Sequence, residues 1–155
     1  MNGEAEFFNK IAENDYKVLD DEDYNKILEK HFPELLNNKM KILEIGCGAG
    51  AFGRHFKGDV KGIEISPKLS ERANKFFTCL VGDIKNMPFE NESFDIIFSG
   101  FVIHHLVQDI EVVIKEFRRV LKPNGKVFLI EPDKKSIFEN FQRIRKGFYS
   151  KYYKQ

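Results

Sequence analysis

Gly46, Gly48 and Gly50 alternate along Leu43-Glu44-Ile45-Gly46-Cys47-Gly48-Ala49-Gly50, at the end of an apolar run that carries a carboxylate at Glu44. Glycines at alternate positions let the chain turn tightly and let a ligand approach the backbone more closely than any Cβ permits. Spacing alone does not choose the ligand, because Gly46-x-Gly48-x-x-Ala51 and Gly48-x-Gly50-x-x-Gly53 both fit a dinucleotide loop. Glu44 discriminates. A pyrophosphate held by backbone N–H groups at a helix start is disfavoured by a carboxylate two residues before the first glycine. S-adenosylmethionine carries an ammonium, a carboxylate and a sulfonium but no phosphate, so an acid beside the glycines suits its charge.

Further candidates follow at intervals. Glu64 in Gly62-Ile63-Glu64-Ile65-Ser66 stands about twenty residues beyond the glycine loop, where an acid takes both ribose hydroxyls in a nucleotide site. Its two oxygens suit two O–H donors. Ser66-Pro67 reads as the N-cap and first position of a helix, which places Glu64 at a strand end. Asp83, in Val81-Gly82-Asp83-Ile84, is expected just past the next strand, where it can accept from an exocyclic amine while Ile84 covers the ring. Ser99 and Gly100 close a later apolar strand and lead into Phe101-Val102-Ile103-His104-His105-Leu106. His104 and His105 are the candidate general bases, since imidazole titrates near neutrality. Neighbouring side chains diverge, so one histidine at most is expected to face a substrate, and the other to pack or cap.

These residues need elements to hold them. Apolar periodicity predicts a first helix around Phe7–Ala12, ending near Tyr16 to Leu19, and a second from Asp20 or Asp21 to Pro33. From Lys41 the pattern alternates: strand Ile42–Ile45, a short helix over Phe52–Phe56, strand Val60–Ile65, helix Pro67–Phe77 and strand Thr78–Val81. Strand Phe94–Ser99, helix Asp109–Leu121 and strand Lys126–Ile130 complete it, with Lys122-Pro123-Asn124-Gly125 as the turn before the last strand. Such a succession predicts an α/β, doubly wound, mainly parallel sheet of about five strands, with ligands at the carboxyl ends of the strands.

The 155 residues make one domain: a helical cap over 1–40, a cofactor-binding core over 41–132 and a basic, aromatic, helical tail over 133–155. From Lys134 onward seven basic residues oppose one acid, Glu139, although the formal net charge of the whole chain is only +1. A solvated basic helix face is preferred there to a nucleic-acid or membrane surface. No apolar run is long enough to span a bilayer and no signal segment opens the chain, so a cytoplasmic protein is expected. Two cysteines, Cys47 and Cys79, are too few for a disulfide framework or a zinc site; both are expected to be small buried hydrophobes, and no metal is expected.

Taken in order, the glycine loop, Gly62-Ile63-Glu64-Ile65-Ser66, Gly82-Asp83, Ser93-Phe94-Asp95-Ile96-Ile97, Val102-Ile103-His104-His105-Leu106 and Leu121-Lys122-Pro123-Asn124-Gly125-Lys126 resemble the motifs of class I S-adenosylmethionine-dependent methyltransferases. The likeness is greatest to the group acting on small molecules and covers roughly Lys41 to Pro132. It implies a Rossmann-like sheet with the methionine moiety near Glu44 and Gly46, Cys47, Gly48 and Gly50. It also implies the ribose at Glu64 with Ile65 beside it, the adenine at Asp83 and Ile84, and Ser99 and Gly100 beside the reacting methyl. The expected activity is methyl transfer to a small-molecule acceptor.

The family's sheet ends in an antiparallel strand pair that the sequence after Glu131-Pro132 does not suggest. A truncated or non-catalytic cofactor-binding subunit is therefore the alternative, with a homodimer or partner subunit at the uncovered sheet edge. An RNA methyltransferase ranks lower, because Ser99-Gly100-Phe101-Val102 replaces the polar-proline-aromatic tetrad of amino-directed nucleic-acid enzymes. A nicotinamide oxidoreductase fits Glu64 but not Glu44 and Asp83.

Overall fold

The computed structural model describes residues 3–12, 21–131 and 150–153. Its centre is a six-stranded sheet in the order β3-β2-β1-β4-β5-β6, with β1 at Lys41–Ile45, β2 at Asp59–Glu64, β3 at Thr78–Val81, β4 at Phe94–Gly100, β5 at Leu121–Ile130 and β6 at Ser150–Tyr153. Every pairing is parallel. The chain leaves β1 toward β2 and β3, then returns to lay β4 on β1's other side. The carboxyl ends of β1 and β4 therefore flank the crevice where such sheets bind ligands.

Parallel strands buried on both faces need apolar side chains at odd and even positions alike. Leu43, Ile45, Ile97, Val127 and Leu129 pack on one face with Val113, Ile114 and Phe117. Those three residues lie on helix α4 (Ile110–Val120), whose apolar positions repeat at helical spacing. Ile42, Ile96, Phe98, Phe128 and Ile130 pack on the other face with Leu28 and Phe32. Leu28 belongs to helix α2 (Asp21–His31). Helix α1 (Gly3–Ile11) lies near the carboxyl ends of the strands, tied to helix α3 (Pro67–Ala73) by Asn9, whose Oδ1 accepts from Ser66 Oγ at 2.6 Å.

All five expected strands are present. The segment around Phe52–Phe56 is a single turn of 3-10 helix, Gly53–His55, because Gly50 and Gly53 leave too little helix-forming chain. Helix α3 ends at Ala73, four residues before the expected Phe77, where the Asn74 side chain takes over bonding: its Oδ1 accepts from Cys79 N at 3.0 Å. The Lys122–Gly125 turn survives as a bulge inside β5, with Asn124 at φ +66 and the register broken between Phe94 and Ile96. The expected helical tail is corrected at Ser150–Tyr153. These residues form β6 on Val127–Ile130, so the β5 edge expected to be bare is paired there. The rest of the 133–155 tail, and the end of the first helix near Tyr16 to Leu19, lie outside the described residues.

Candidate cofactor site

The glycine loop begins where β1 ends. Gly46, Gly48 and Gly50 all take positive φ, at 58°, 55° and 82°, in the region where a side chain is strained. At Gly46 the need is also spatial, since a Cβ there would stand 2.6 Å from Val102 Cγ2. A Cβ on Gly48 would meet nothing within 4 Å, so that stretch of backbone faces open space as a ligand cradle does.

Glu64 pins this loop. Its Oε2 accepts from Gly48 N and its Oε1 from Ser66 N, both at 2.9 Å. Each oxygen keeps a second lone pair, which is what two ribose hydroxyls require. Burial pushes the Glu64 carboxyl above its ordinary range, and the N–H groups of Ser66, Gly48 and Ile65 partly oppose that rise. Ser66 is the N-cap of α3, accepting from Leu69 N at 3.2 Å, with Pro67 as the first helical residue.

Gly46, Gly48, Glu64, Ile65, Asp83, Ile84 and Gly100 line one cavity with His105. The structure thus brings together residues from the ends of β1, β2, β3 and β4. Asp83 is braced by its own loop: Oδ1 accepts from Lys85 N at 2.9 Å, and Lys85 Nζ lies 3.7 Å from Oδ2 and 3.2 Å from Asp109. The loop beyond is clamped by α4. Arg119 Nη1 donates to Phe89 O at 2.6 Å and Nη2 to Met87 O at 2.8 Å, while Glu116 Oε2 accepts from Met87 N at 2.8 Å.

Glu44, Cys47, Gly50, Ser99 and His104 are not on the cavity wall. Glu44 alternates with Leu43 and Ile45 along β1, so its side chain leaves the opposite face and ends beside Gly53, where a Cβ would overlap its Oε2. It is 2% exposed, and Oε2 has no hydrogen-bond partner among the described residues. Burial drives this carboxyl well above its usual range, while the Gly53 N–H pulls it down and the nearby Cys79 and Glu64 push it further up. Ser99 Oγ is likewise buried, with no partner among the described residues.

The turn after β4 is held by a carboxylate that sequence reading passed over. Glu131, immediately after β5, is 1% exposed. Its Oε1 accepts from Val102 N at 3.1 Å and Ile103 N at 2.7 Å, and its Oε2 lies 2.7 Å from His104 Nδ1. Phe101, between Gly100 and this clamp, takes φ +61, a strained conformation that the surrounding bonds must enforce. The two histidines divide: His104 turns to Glu131, while His105 faces the cavity with its ring 5.7 Å from that of Phe8 on α1. Phe8, Leu69, Val102 and Leu106 also line the cavity. Phe8 and Leu69 carry only the apolar character of helix residues, and Val102 and Leu106 only that of apolar residues inside a motif, which core residues share.

Residues 43–129 match the family model described as "Methyltransferase domain". The chain is 31% identical over 116 residues to a malonyl-[acyl-carrier protein] O-methyltransferase of Erwinia pyrifoliae, covering 69% of this chain and 44% of that protein. It is 33% identical over 99 residues to a demethylmenaquinone methyltransferase of Chlorobaculum tepidum, covering 59% and 40%. A solved structure of a Pyrococcus horikoshii protein superposes with a TM-score of 0.65 at 26% identity, over 84% of this chain and 68% of that one. The chain thus spans less than half the length of these two curated relatives.

Proposed function

From the premise that this chain belongs to the methyltransferase domain family, we propose that it binds S-adenosylmethionine in the cavity at the carboxyl ends of β1 to β4 and serves methyl transfer to a small-molecule acceptor. The observation that carries the reading is the convergence of Gly46, Gly48, Glu64, Asp83, Ile84 and Gly100 on one cavity. The residues fit the group: an open glycine backbone at Gly48, spare lone pairs on Glu64 and no phosphate-binding cation among the lining residues. When bound, S-adenosylmethionine supplies an electrophilic methyl on sulfonium and its own thioether leaving group. The protein's work is then alignment and exclusion of water.

In this reading Glu64 orients the ribose, Asp83 and Ile84 hold the adenine, and Gly46 and Gly48 admit the methionine end. Glu44 lies behind the loop against Gly53 and does not line the wall. Gly100, Phe101 and Val102 shape the end where the acceptor enters. His105, on the cavity wall, is the candidate base, while His104, with Nδ1 2.7 Å from Glu131 Oε2 and its ring 3.9 Å from that of His105, packs behind it. His105 and Phe8 close the cavity against water. A cytoplasmic setting, as the sequence leads one to expect, is kept as part of this reading; no helix among the described residues is long and apolar enough to cross a membrane.

The names of the relatives above suggest the acceptors to try, a malonyl-[acyl-carrier protein] and a demethylmenaquinone. Transfer of tritium from methyl-labelled cofactor to either, reduced more than tenfold by His105→Gln, is the expected result. The second reading is a cofactor-binding subunit that turns over only with another chain. Tight cofactor binding with no label moved to any acceptor would select it.

A further inference from the structure

Cys47 and Cys79 are far apart in sequence, yet their Sγ atoms lie 3.1 Å apart in the structure. Both are free and buried. The strand between them makes the contact possible. Gly62 of β2 is in register with Glu44 on one side and with Cys79 on the other. A Cβ at Gly62 would stand 2.8 Å from Cys47 Sγ and 3.3 Å from Cys79 Sγ, so the missing side chain is the space in which the two thiols meet. Ala73 and Phe77 enclose the pair in apolar surroundings. The thiols are not equivalent. The hydrogen bond between them, reinforced by burial, raises Cys47, and the same bond lowers Cys79 against the opposing effect of burial. Either sulfur can donate in that bond, and the direction of the shifts favours Cys79 as the thiolate-forming partner.

We propose that Cys47 and Cys79 are a redox modification site: a small hydroperoxide converts them to a disulfide, and that bond weakens cofactor binding by displacing the glycine loop. The steps balance. The Cys79 thiolate attacks one oxygen of hydrogen peroxide, the O–O bond breaks, and Cys79 sulfenic acid and hydroxide form. The Cys47 thiol then attacks the Cys79 sulfur and the S–O bond breaks. In sum, two thiols and one peroxide give one disulfide and two waters, with sulfur oxidised and oxygen reduced. Closing the gap to a bond of ~2.05 Å draws Cys47 about 1 Å across β2. Its neighbours cannot follow freely: Gly46 N is bonded to Ile63 O at 2.8 Å and Gly48 N to Glu64 Oε2 at 2.9 Å. Both neighbours line the cavity, so a displaced Cys47 changes the cradle and the Glu64 carboxylate together. By reciprocity, cofactor in the cavity must disfavour the disulfide by the same factor that the disulfide weakens cofactor.

The affinity readout rests on the cofactor reading above, whereas bond formation does not. The full reduced chain is treated with hydrogen peroxide and followed by intact mass, by peptide mapping under non-reducing conditions and by titration with S-adenosylhomocysteine. Expected are a loss of two hydrogens, a Cys47–Cys79 cross-linked peptide and an affinity at least roughly tenfold weaker, restored by dithiothreitol. Excess S-adenosylhomocysteine should raise the midpoint potential of the pair by about 30 mV for each tenfold of coupling. Cys79→Ser, which lies off the cavity wall, should bind normally and lose its peroxide sensitivity; Cys79→Ala serves if serine is not tolerated. Two thiols that persist, or that pass to sulfinic acid, would overturn the modification site. A mapped disulfide with unchanged affinity would overturn the coupling. Reduced protein that binds no S-adenosylhomocysteine would refute the cofactor reading, and the coupling with it, while the mass measurement still decides the disulfide.

Discussion

Replacing Glu64 by glutamine keeps the shape of the side chain and removes its charge and one of its two acceptor oxygens. In the native chain those oxygens hold Gly48 N and Ser66 N at 2.9 Å each and offer further lone pairs to the cavity. The amide keeps one oxygen, so either Gly48 N–H or Ser66 N–H faces an NH2 group. An unsatisfied buried donor costs roughly 1–3 kcal/mol. Against this, burial already raises the Glu64 carboxyl, and a neutral amide escapes that penalty. The two effects oppose, so the melting temperature should move by less than about 5 °C. Binding has no such offset. Two O–H donors lose a charged acceptor worth roughly 1.5–3 kcal/mol each; with one oxygen retained, the net loss is about 3 kcal/mol, or about a hundredfold in Kd. Titration calorimetry with S-adenosylhomocysteine and scanning calorimetry of the same samples separate the two. An affinity within about threefold of the parent at an unchanged melting temperature would refute the assignment of Glu64 to the ribose.

Glu44 makes a prediction about pH. Its folded-state value lies above the unfolded one, chiefly through burial, so its contribution to stability is full below the unfolded pKa of about 4.3 and is lost as pH rises through the folded value. Glu44→Gln should therefore gain melting temperature over the parent at pH 8 and gain none at pH 4; parallel pH profiles of the two proteins would contradict this. Arg119→Ala removes donors to Phe89 O and Met87 O at 2.6 and 2.8 Å. It should cost about 2 kcal/mol and lower the melting temperature by roughly 4–8 °C, and no change would mean that the loop after Asp83 is held by other contacts. Phe8→Ala strips one wall of the cavity and the edge contact to His105 at 5.7 Å. With such a contact worth roughly 0.5–1.5 kcal/mol, S-adenosylhomocysteine affinity should fall about 2- to 10-fold with little change in melting, and an unchanged Kd would take α1 out of the site.

Local chemistry explains what the sequence made legible. Alternating glycines, the Ser66-Pro67 start signal and apolar strands at regular intervals are each written within a few residues, and the glycine loop, Glu64, Asp83 and the first five strands followed from them. Features that depend on partners distant in the chain were not legible in that way. Glu131 reads as a polar residue after an apolar strand until the turn at Val102 to His104 is folded onto it. Cys47 and Cys79 read as scattered thiols until Gly62 brings β2 between them with no side chain. The direction of Glu44 depends on which face of β1 the helices cover, and a period of two assigns it only once that face is known. Strand β6 follows a basic and aromatic segment whose composition suits a helix as well as a strand, and its pairing with β5 decides the outcome.

If one cavity at the carboxyl ends of β1 to β4 holds S-adenosylmethionine, the chain takes up that cofactor with no acceptor present. Calorimetric titration of the purified chain with S-adenosylmethionine, S-adenosylhomocysteine and NADH tests it most directly. Saturable binding of the first two is expected, weakened about a hundredfold by Glu64→Gln, with no heat from NADH. Binding of NADH alone by the folded chain would contradict it.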